Sequence, residues 1–450
     1  MEIKNLKDIY NTLLRIEKKH NLFSIKILNK IPVWTYLRTN LVEHMYVKYN
    51  LTEAVAPKRN FTFLVLLNTF FSGFLSFYLF FKKRKSSIWF IETSRRINGK
   101  EPYCQPIYDE LNKESYSKFC YSETWKYNND VIYLNFVKLF IMFLSILLAP
   151  FLSFFITSRN YKTLQCAIKD IIGDNSYNFN QKYIECFLWY IFFNISFKIN
   201  KPKKIFIVSN TFFIPLIAVC DKYSVETIEI QHGIMSKYTL NYNFPNLERK
   251  SFFPNKILLL GNSWSFMEKH FPKGVETLTL GSQNFNRKKN NLKSENISVL
   301  IVSQKPIRDY LISFLNSNKS IFCDFKIYFK LHPMEVSMKE EILNNIHNCL
   351  HANLNIIGNE KSVNELQNKV ACQIGAYSTA LVEGVQYDLP TLLVKTPLSD
   401  HLHFLKNTGI KTTPINKSDL ILFLGSKHKN YNVEYFTGLK KQTIDEITSI

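Results

Sequence analysis

Three short polar elements of this sequence lie at the ends of apolar runs that predict β-strands, and each contains side chains able to bind or transfer a charged group. They read QHG at 231–233, KLHP at 330–333 and QIGAYST at 373–379. Ligands of open α/β sheets sit outside the carboxyl ends of the strands, so polar residues at strand ends are the first candidates for a functional site. These three elements therefore define the candidate site.

The third element has the form of an anion-binding site. A glycine-containing turn leads into Ser378 and Thr379 at the predicted start of a helix, where backbone N–H groups, hydroxyls and the positive helix end attract phosphate. Serine and threonine are also favoured as simple helix N-caps, so a purely structural role is the alternative. Glu383 lies further along the helix, where it is either solvated or reaches a nucleotide ribose. We predict that Gly375, Ser378, Thr379 and Glu383 hold a nucleotide.

The second element places a histidine at a strand edge. Pro333 ends the predicted strand, and Lys330 and His332 alternate with Leu331, so both lie on one side of it. A histidine in this position can donate a hydrogen bond to phosphate or protonate a leaving group, although a His-Pro pair alone often has a structural role. We predict that Lys330, His332 and Pro333 complete the phosphate site.

The first element suggests a proton acceptor. A neutral imidazole at His232 could take the proton of an acceptor hydroxyl, and Gly233 would let the backbone approach a sugar closely. The alternative is a strand-end turn that contains a histidine by chance. Because three such elements occur together, we predict His232 as general base. We expect the acceptor to contact Gln231, Gly233, Lys237 and Tyr238.

The elements that must position these residues alternate between predicted strands and helices, which is typical of an α/β fold. We predict two Rossmann-like domains that face a cleft: a first half at 84–283 and a second half at 294–425, joined by the polar segment NFNRKKNNLK at 284–293. A helical region (1–83) precedes them and a C-terminal helix (426–450) follows. The predicted strands are IWFIET, DVIYLNF, KKIFIVSN, VETIEI and NKILLLGN in the first half, and ISVLIVSQ, FKIYFKLHP, LNIIG, VACQIG and PTLLVKT in the second.

Composition limits the partners. The chain has 450 residues, with 57 Lys and Arg against 36 Asp and Glu, and its net charge of +21 favours an anionic ligand or surface. Its basic residues are spread over linkers and the flanks of apolar segments, and no nucleic-acid-binding motif is present, so we expect no nucleic acid partner. The eight cysteines form no CxxC pair, which indicates neither a zinc ribbon nor a disulfide framework. No carboxylate pair suggests a metal site.

Two segments without charged residues, 61–81 and 139–158, approach the length of a membrane-spanning helix. Basic residues flank both on every side, so there is no positive-inside asymmetry, and predicted strands of one sheet lie between them. We therefore expect helices that lie in one leaflet of an anionic membrane, at the cytoplasmic face of the inner membrane, with the insertion 136–158 inside the first half. Spanning helices and buried core helices are the alternatives.

Taken together, the QHG, His-Pro and Ser-Thr elements resemble bacterial GT-B glycosyltransferases of surface-polysaccharide assembly. The patterns are similar to those of capsule sialyl- and polysialyltransferases and of teichoic-acid glycerophosphotransferases. In those families the His-Pro histidine and the hydroxyl pair bind the phosphate of a cytidine nucleotide, which implies this role for His332, Ser378 and Thr379. In the glycerophosphotransferases a histidine followed by glycine is a base candidate, which corresponds to His232.

The resemblance covers at most 203–396, and the acidic element that supplies the base in sialyltransferases is absent. The stretch STALVEGVQYDLPTLL also resembles the nucleotide-binding end of other GT-B enzymes, in which a glutamate holds ribose. The resemblance therefore implies a CMP- or CDP-activated donor and leaves UDP- and GDP-sugars open.

These features predict a glycosyltransferase of capsule or lipopolysaccharide biosynthesis that acts by direct displacement. The resemblance implies an inverting, metal-independent reaction whose only small-molecule requirement is the nucleotide-sugar substrate. The acceptor would be an oligosaccharide or a lipid-linked glycan. Two alternatives remain: a non-catalytic membrane-associated scaffold or export component, which would bind no nucleotide, and a nucleotide-sugar 2-epimerase, which would gain nothing from apolar segments.

Overall fold

Two fully parallel β-sheets organise the chain. The computed structural model describes residues 3–51, 73, 75–82, 86–96, 100–121, 130–151, 158–174, 176–210, 213–244, 247, 252–282, 298–426 and 431–449. The first sheet has seven strands in the order β3-β2-β1-β4-β5-β6-β7, and the second has six in the order β10-β9-β8-β11-β12-β13. In both sheets the order reverses beside the first strand, which creates the switch point where ligands of such sheets bind.

The first half forms because its central strands are continuous apolar runs, as expected for strands covered by helices on both faces. Every residue of β1 and β4 is buried, and they pair in parallel with Ile88 opposite Lys204. The elements are β1 (Ile88–Glu92), α3 (Gln105–Tyr108), β2 (Tyr116–Cys120), β3 (Val131–Tyr133), α4 (Asn135–Leu148), α5 (Arg159–Ile172), α6 (Phe179–Ile199), β4 (Lys204–Val208), α7 (Ile214–Lys222), β5 (Glu226–Ile230), β6 (Lys256–Leu259) and β7 (Glu276–Thr279).

The second half repeats this alternation. Its elements are β8 (Ser298–Val302), α8 (Arg308–Ser317), α9 (Lys319–Phe322), β9 (Lys326–Lys330), α10 (Lys339–Asn345), β10 (Leu354–Ile357), α11 (Val363–Gln367), β11 (Cys372–Gly375), α12 (Thr379–Gln386), β12 (Thr391–Leu393), β13 (Lys411–Thr412) and α13 (Lys417–Leu424). A 3-10 helix at Pro333–Met338 follows β9, and another at Ser399–Thr408 follows β12.

The chain ends connect the halves. At the N-terminus, α1 (Leu6–His20) and α2 (Val33–Lys48) pack on the first half, and the backbone N–H of Leu6 donates to the Pro397 carbonyl of the second half at 3.4 Å. After α13 the chain returns to the first half, where α14 (Lys441–Thr448) lies in the same apolar cluster as β1. On the way, Trp264 Nε1 donates to the Tyr435 carbonyl at 2.7 Å. These contacts between the chain ends and the opposite halves link the two sheets.

The predicted α/β fold class, with two Rossmann-like halves, is confirmed. One predicted strand, DVIYLNF, is wrong in its second part, because the strand stops at Tyr133 and α4 begins at Asn135. Strands β2, β7 and β13 were not predicted. The linker 284–293, positions 61–72 of the first apolar segment and 152–157 of the second lie outside the described residues. Within the described part of the chain, no helix has both the length and the apolar character that crossing a membrane requires.

Gly384 provides a test of how tightly α12 packs on β11. A Cβ built on Gly384 would overlap the side-chain amide of Gln373. That amide donates to the Leu381 carbonyl at 2.9 Å and to Thr391 Oγ1 at 2.8 Å, so it cannot move without losing both. We expect Gly384→Ala to lower the free energy of unfolding by about 1–3 kcal/mol, the usual range for overpacking.

Urea unfolding would measure this effect, with Gly425→Ala as the matched control. A Cβ on Gly425 has as its nearest neighbour the Ile421 carbonyl oxygen at 3.6 Å, an ordinary contact. If the two variants have equal unfolding midpoints, the Gln373 side chain moves aside without measurable cost and the packing at Gly384 is loose.

Candidate functional site

His332 is fixed at the carboxyl end of β9. It caps the 3-10 helix Pro333–Met338. The ring Nδ1 of His332 accepts from the backbone N–H of Met334 at 3.3 Å, and the backbone N–H of His332 donates to Glu335 Oε2 at 2.9 Å. A neutral imidazole has one acceptor and one donor nitrogen, so an accepting Nδ1 places the proton on Nε2. His332 therefore offers an N–H donor, and Pro333 serves as the first residue of the helix that fixes it.

The surroundings of His332 are positive. Burial lowers the pKa of His332, and the charges of Arg95 and Lys330 lower it further. The imidazole is thus neutral near pH 7 and lies close to two cations. Lys330 is itself buried, and its amine donates to the carbonyl oxygen of Gly358. Burial also lowers the pKa of Lys330. This end of β9 combines a hydrogen-bond donor with positive potential, as a phosphate group requires.

Ser378 caps α12, with its Oγ accepting from the backbone N–H of Ala380 at 3.2 Å. The N-cap interpretation of this residue therefore describes its local role. Thr379 is the first residue of α12, and it is only half-buried. Gly375 is needed for packing, since a Cβ there would lie 2.8 Å from Leu381 Cδ1. The strand consequently approaches α12 closely.

The QHG element contains residues that point in different directions. Gln231 is buried: its Nε2 donates to the Gly233 carbonyl at 3.0 Å, and its Oε1 accepts from the Leu260 N–H at 2.9 Å. It therefore shapes the loop, and its position gives no support to the predicted contact with an acceptor. His232 differs, because its Nδ1 is buried without a hydrogen-bond partner in the described part of the chain. Burial lowers the pKa of His232 to about 4, so its ring is neutral.

Three interactions connect the two sides of the cleft, one as a short distance and two as the effect of a charge on a neighbouring group. A Cβ built on Gly233 would lie 3.9 Å from Thr379 Oγ1, so the QHG loop faces the start of α12. The charge of Arg95 acts on His332, as described above. Burial raises the pKa of Tyr103, and the carboxylate of Glu383 contributes to that rise. The structure therefore brings His232, Gly233, His332, Thr379 and Glu383 to the two faces of one cleft.

Arg95 and Tyr103 belong to this site but were not predicted from the sequence. Arg95 donates to the Tyr103 hydroxyl at 3.1 Å, and that hydroxyl donates to the His232 carbonyl at 3.1 Å. Glu101 holds their loop by accepting from the Tyr103 N–H at 2.8 Å. The sequence did contain a signal for Arg95, because this residue comes just after the predicted strand IWFIET, as His232 comes just after VETIEI.

Lys237 and Tyr238 lie at a neighbouring contact between the halves. The Tyr238 ring centroid is 5.6 Å from that of Tyr10 in α1 and 5.4 Å from that of His403 in the second half. The Lys237 ammonium lies 4.9 Å from the centre of the Tyr238 ring. These contacts assign both residues to the packing between the halves, and none of them brings the two side chains to His232.

A buried carboxyl group lies below the QHG loop. Glu229 in β5 is fully buried, accepts from the Tyr242 hydroxyl, and accepts from the backbone N–H of Asn210 at 3.2 Å. Burial raises the pKa of Glu229 to about 7. Glu229 is fully buried and hydrogen-bonded, whereas the side chain of His232 is only half-buried, so His232 is the better candidate for a base. In the described residues, no three His, Cys, Asp or Glu side chains are grouped as metal ligands would be.

No protein-family model matches the chain, and no curated protein matches its sequence. It is similar to the solved structure of MurG from Acinetobacter baumannii, with 9% identity over 80% of this chain and 99% of that chain and a TM-score of 0.49. It is also similar to the UDP-GlcNAc 2-epimerase from Methanocaldococcus jannaschii, with 10% identity over 80% and 98% of the two chains and a TM-score of 0.46.

A third solved structure, the UDP-GlcNAc 2-epimerase from Neisseria meningitidis bound to UDP-GlcNAc, shares 9% identity over 80% of this chain and 98% of that chain, with a TM-score of 0.42. Likeness at this level assigns no activity. The class of the protein follows from its own topology: two parallel sheets with their switch points facing one cleft constitute a GT-B-type α/β fold.

Proposed function

We propose that this protein is a glycosyltransferase that moves a sugar from a nucleotide-activated donor to a glycan or lipid-linked acceptor. The observation that carries the proposal is the pairing of two unlike surfaces across the cleft. One surface, with His332 and the start of α12, suits a phosphate, and the other carries the half-buried, neutral imidazole of His232.

The donor nucleotide lies on the second half in this proposal. Its phosphate accepts from His332 Nε2 and from the Thr379 hydroxyl, while Arg95 reaches it from the opposite side of the cleft. Negative charge develops on the phosphate oxygen as the bond to the sugar breaks, so donors and cations fixed there stabilise the transition state more than the ground state. Glu383 is placed to accept from a ribose hydroxyl. The resemblance to cytidine-nucleotide enzymes favours CMP or CDP, with UDP and GDP as alternatives.

The acceptor approaches from the first half. The neutral imidazole of His232 takes the proton of the acceptor hydroxyl while the hydroxyl oxygen bonds to the anomeric carbon of the donor sugar. The bond between that carbon and the phosphate oxygen breaks, and the nucleotide leaves with the electron pair. A single displacement of this kind inverts the anomeric configuration. The steps assigned to these residues use the nucleotide-sugar as substrate and need no metal or further cofactor.

Two alternatives make different predictions. A scaffold or export component would need neither an unpartnered imidazole in a cleft nor a positive site opposite it, and these features favour an enzyme. A 2-epimerase acts on a soluble sugar and would gain nothing from the apolar segments 61–81 and 139–158. From the family resemblance and the apolar segments, we propose capsule or lipopolysaccharide biosynthesis as its pathway and the cytoplasmic face of the inner membrane as its location.

Calorimetric titration of CMP, CDP, UDP and GDP into the full-length protein tests the donor site. We expect preference for one nucleotide, and His332→Ala should weaken its binding by roughly 10- to 100-fold, the value of a hydrogen bond to a charged group. Absence of binding by all four nucleotides would overturn the transferase proposal and favour the scaffold.

His347→Ala is the matched control for this titration. His347 also caps a 3-10 helix through its Nδ1, which accepts from the Cys349 N–H at 3.3 Å. It lies before β10, on the side of the sheet where the amino ends of the strands meet, away from His332. It should leave nucleotide affinity unchanged. If both histidine variants weaken binding equally, the effect of His332→Ala comes from loss of a cap and the phosphate contact is wrong.

A further inference from the structure

Helix α4 exposes one apolar side. Phe136, Phe140, Phe143 and Leu147 follow the i, i+4, i+7, i+11 spacing that places side chains on one face of a helix. Phe140 and Phe143 are 54% and 63% exposed. On the other side of the helix, Ile141 and Ser145 are buried. The exposed stripe is therefore not part of the core of the first half.

A second helical stretch, 75–82, extends this surface. Phe77 and Phe81 are 64% and 44% exposed, whereas Leu79 between them is buried. The stretch lies beside α4: Ser76 Oγ accepts from the Tyr133 N–H at 2.8 Å, just before α4 begins. We call Phe77, Phe81, Phe136, Phe140, Phe143 and Leu147 the apolar face. A contiguous patch of large apolar side chains is uncommon on a soluble monomer and marks a site of interaction.

The charges around the apolar face identify the partner. The apolar side of α4 carries no charge, because Lys138, the only charged residue of this helix, lies on the opposite side with its ammonium 5.5 Å from the centre of the Tyr121 ring. Lys82 follows Phe81, and its ammonium lies 5.9 Å from the centre of the Tyr78 ring. Exposed aromatic and aliphatic side chains next to an exposed lysine, Lys82, suit the boundary between the acyl chains and the anionic headgroups of a bilayer. The net charge of +21 adds attraction to anionic lipid.

The orientation of α4 relates this surface to the site. The helix begins directly after β3, at the carboxyl edge of the first sheet, which is also the edge that carries Arg95 and His232. A bilayer in contact with the start of α4 would therefore lie near the edge at which the cleft opens. Only this last point rests on the proposed function, because it would place a lipid-linked acceptor close to His232.

We propose that the apolar face docks the protein on an anionic phospholipid bilayer by inserting its phenylalanine side chains at the acyl boundary. Each inserted side chain removes apolar area from water, and Lys82 at the edge of the apolar face binds a lipid phosphate. Docking therefore requires both the apolar face and anionic lipid, and it weakens as salt increases.

Vesicle flotation with the full-length protein tests the docking. The wild-type protein should float with vesicles of phosphatidylcholine and phosphatidylglycerol and bind vesicles of phosphatidylcholine alone at least tenfold more weakly. Phe140→Asp/Phe143→Asp should reduce binding to the anionic vesicles at least tenfold. The control Ile421→Asp/Leu422→Asp changes residues of α13 that are 53% and 70% exposed in the second half and should bind as the wild type does.

Several outcomes would overturn the proposal: no binding of the wild type to anionic vesicles, equal binding to both kinds of vesicle, or equal binding of the Phe140→Asp/Phe143→Asp variant. Sedimentation analysis tests a further outcome. If the wild type is a dimer and the Phe140→Asp/Phe143→Asp variant is a monomer, a second copy of the chain covers the apolar face and the proposal is wrong. Nucleotide affinity, measured on the same samples, is independent of this test. Its retention in the variant shows an intact fold, and its absence from the wild type would affect only the proposed function.

Discussion

Replacing His232 by alanine is expected to lower the rate of sugar transfer by about 10²- to 10⁴-fold, the range for removal of a general base. The ring is buried at the cleft, its Nδ1 has no partner among the described residues, and burial keeps it neutral. Tyr103 binds the His232 backbone carbonyl, which alanine retains, so the loop should keep its shape. Turnover with saturating donor, measured beside nucleotide affinity, should show the loss in rate alone.

The pH profile gives this prediction a second readout. The base must be unprotonated to accept a proton, and the pKa of His232 is lowered from 6.5 to about 4. The rate of the wild-type enzyme should therefore remain level as the pH falls from 7 to about 5 and should decline as it approaches 4. The residual activity of His232→Ala should lack this decline.

His270→Ala is the appropriate control, because His270 is a half-buried histidine of the same half whose pKa is also lowered by burial. It should change neither the rate nor the profile. Near-normal turnover by His232→Ala would show that another group takes the proton. Loss of nucleotide binding in that variant would mean that the loop had been distorted and that the rate says nothing about the base.

The sequence was informative about the fold where strands are buried on both faces. Strands such as KIFIV and SVLIV are recognisable as continuous apolar runs, whereas β2 (YSKFC) and β7 (ETLT) mix polar residues with apolar ones. β7 is an outer strand of its sheet, and β2 is next to the outermost strand. The helix start at Asn135 was missed because the apolar run continues from β3 into α4 without a turn residue.

At the site, the sequence predicted positions along the chain better than directions in space. Side chains alternate between the two faces of a strand, and this alternation continues from β5 into the loop. Glu229 and Gln231 point into the protein, and His232 faces the cleft. Periodicity cannot say which face the core will cover, so Gln231 and His232 were both predicted to contact substrate. Likewise, Lys237 and Tyr238 follow the QHG loop in sequence, but the chain has already turned toward α1 and His403.

Replacing Arg38 by alanine is expected to lower the free energy of unfolding by about 3–5 kcal/mol, the cost of removing one partner of a buried ion pair. Arg38 in α2 is 1% exposed, and its Nε donates to Glu17 Oε1 at 2.6 Å. Its guanidinium also donates to the backbone carbonyls of Leu240 and Asn243. The variant leaves the Glu17 carboxylate buried without its counter-ion, with Trp34 Nε1 at 3.0 Å as a remaining donor, and it leaves the two carbonyls without Arg38.

This stability loss should extend to catalysis, because Leu240 and Asn243 belong to the chain that leaves the QHG loop. The N-terminal helices, which carry no recognisable motif, thereby hold that chain segment through one side chain. Urea unfolding of Arg38→Ala should show the lowered stability, and Lys19→Ala is the control. Lys19 pairs with Asp170 at 2.7 Å on the surface, and such pairs contribute about 0–1 kcal/mol. If both variants unfold at the same urea concentration, the Arg38–Glu17 pair is hydrated in solution. The N-terminal helices then do not stabilise the chain segment that follows the QHG loop.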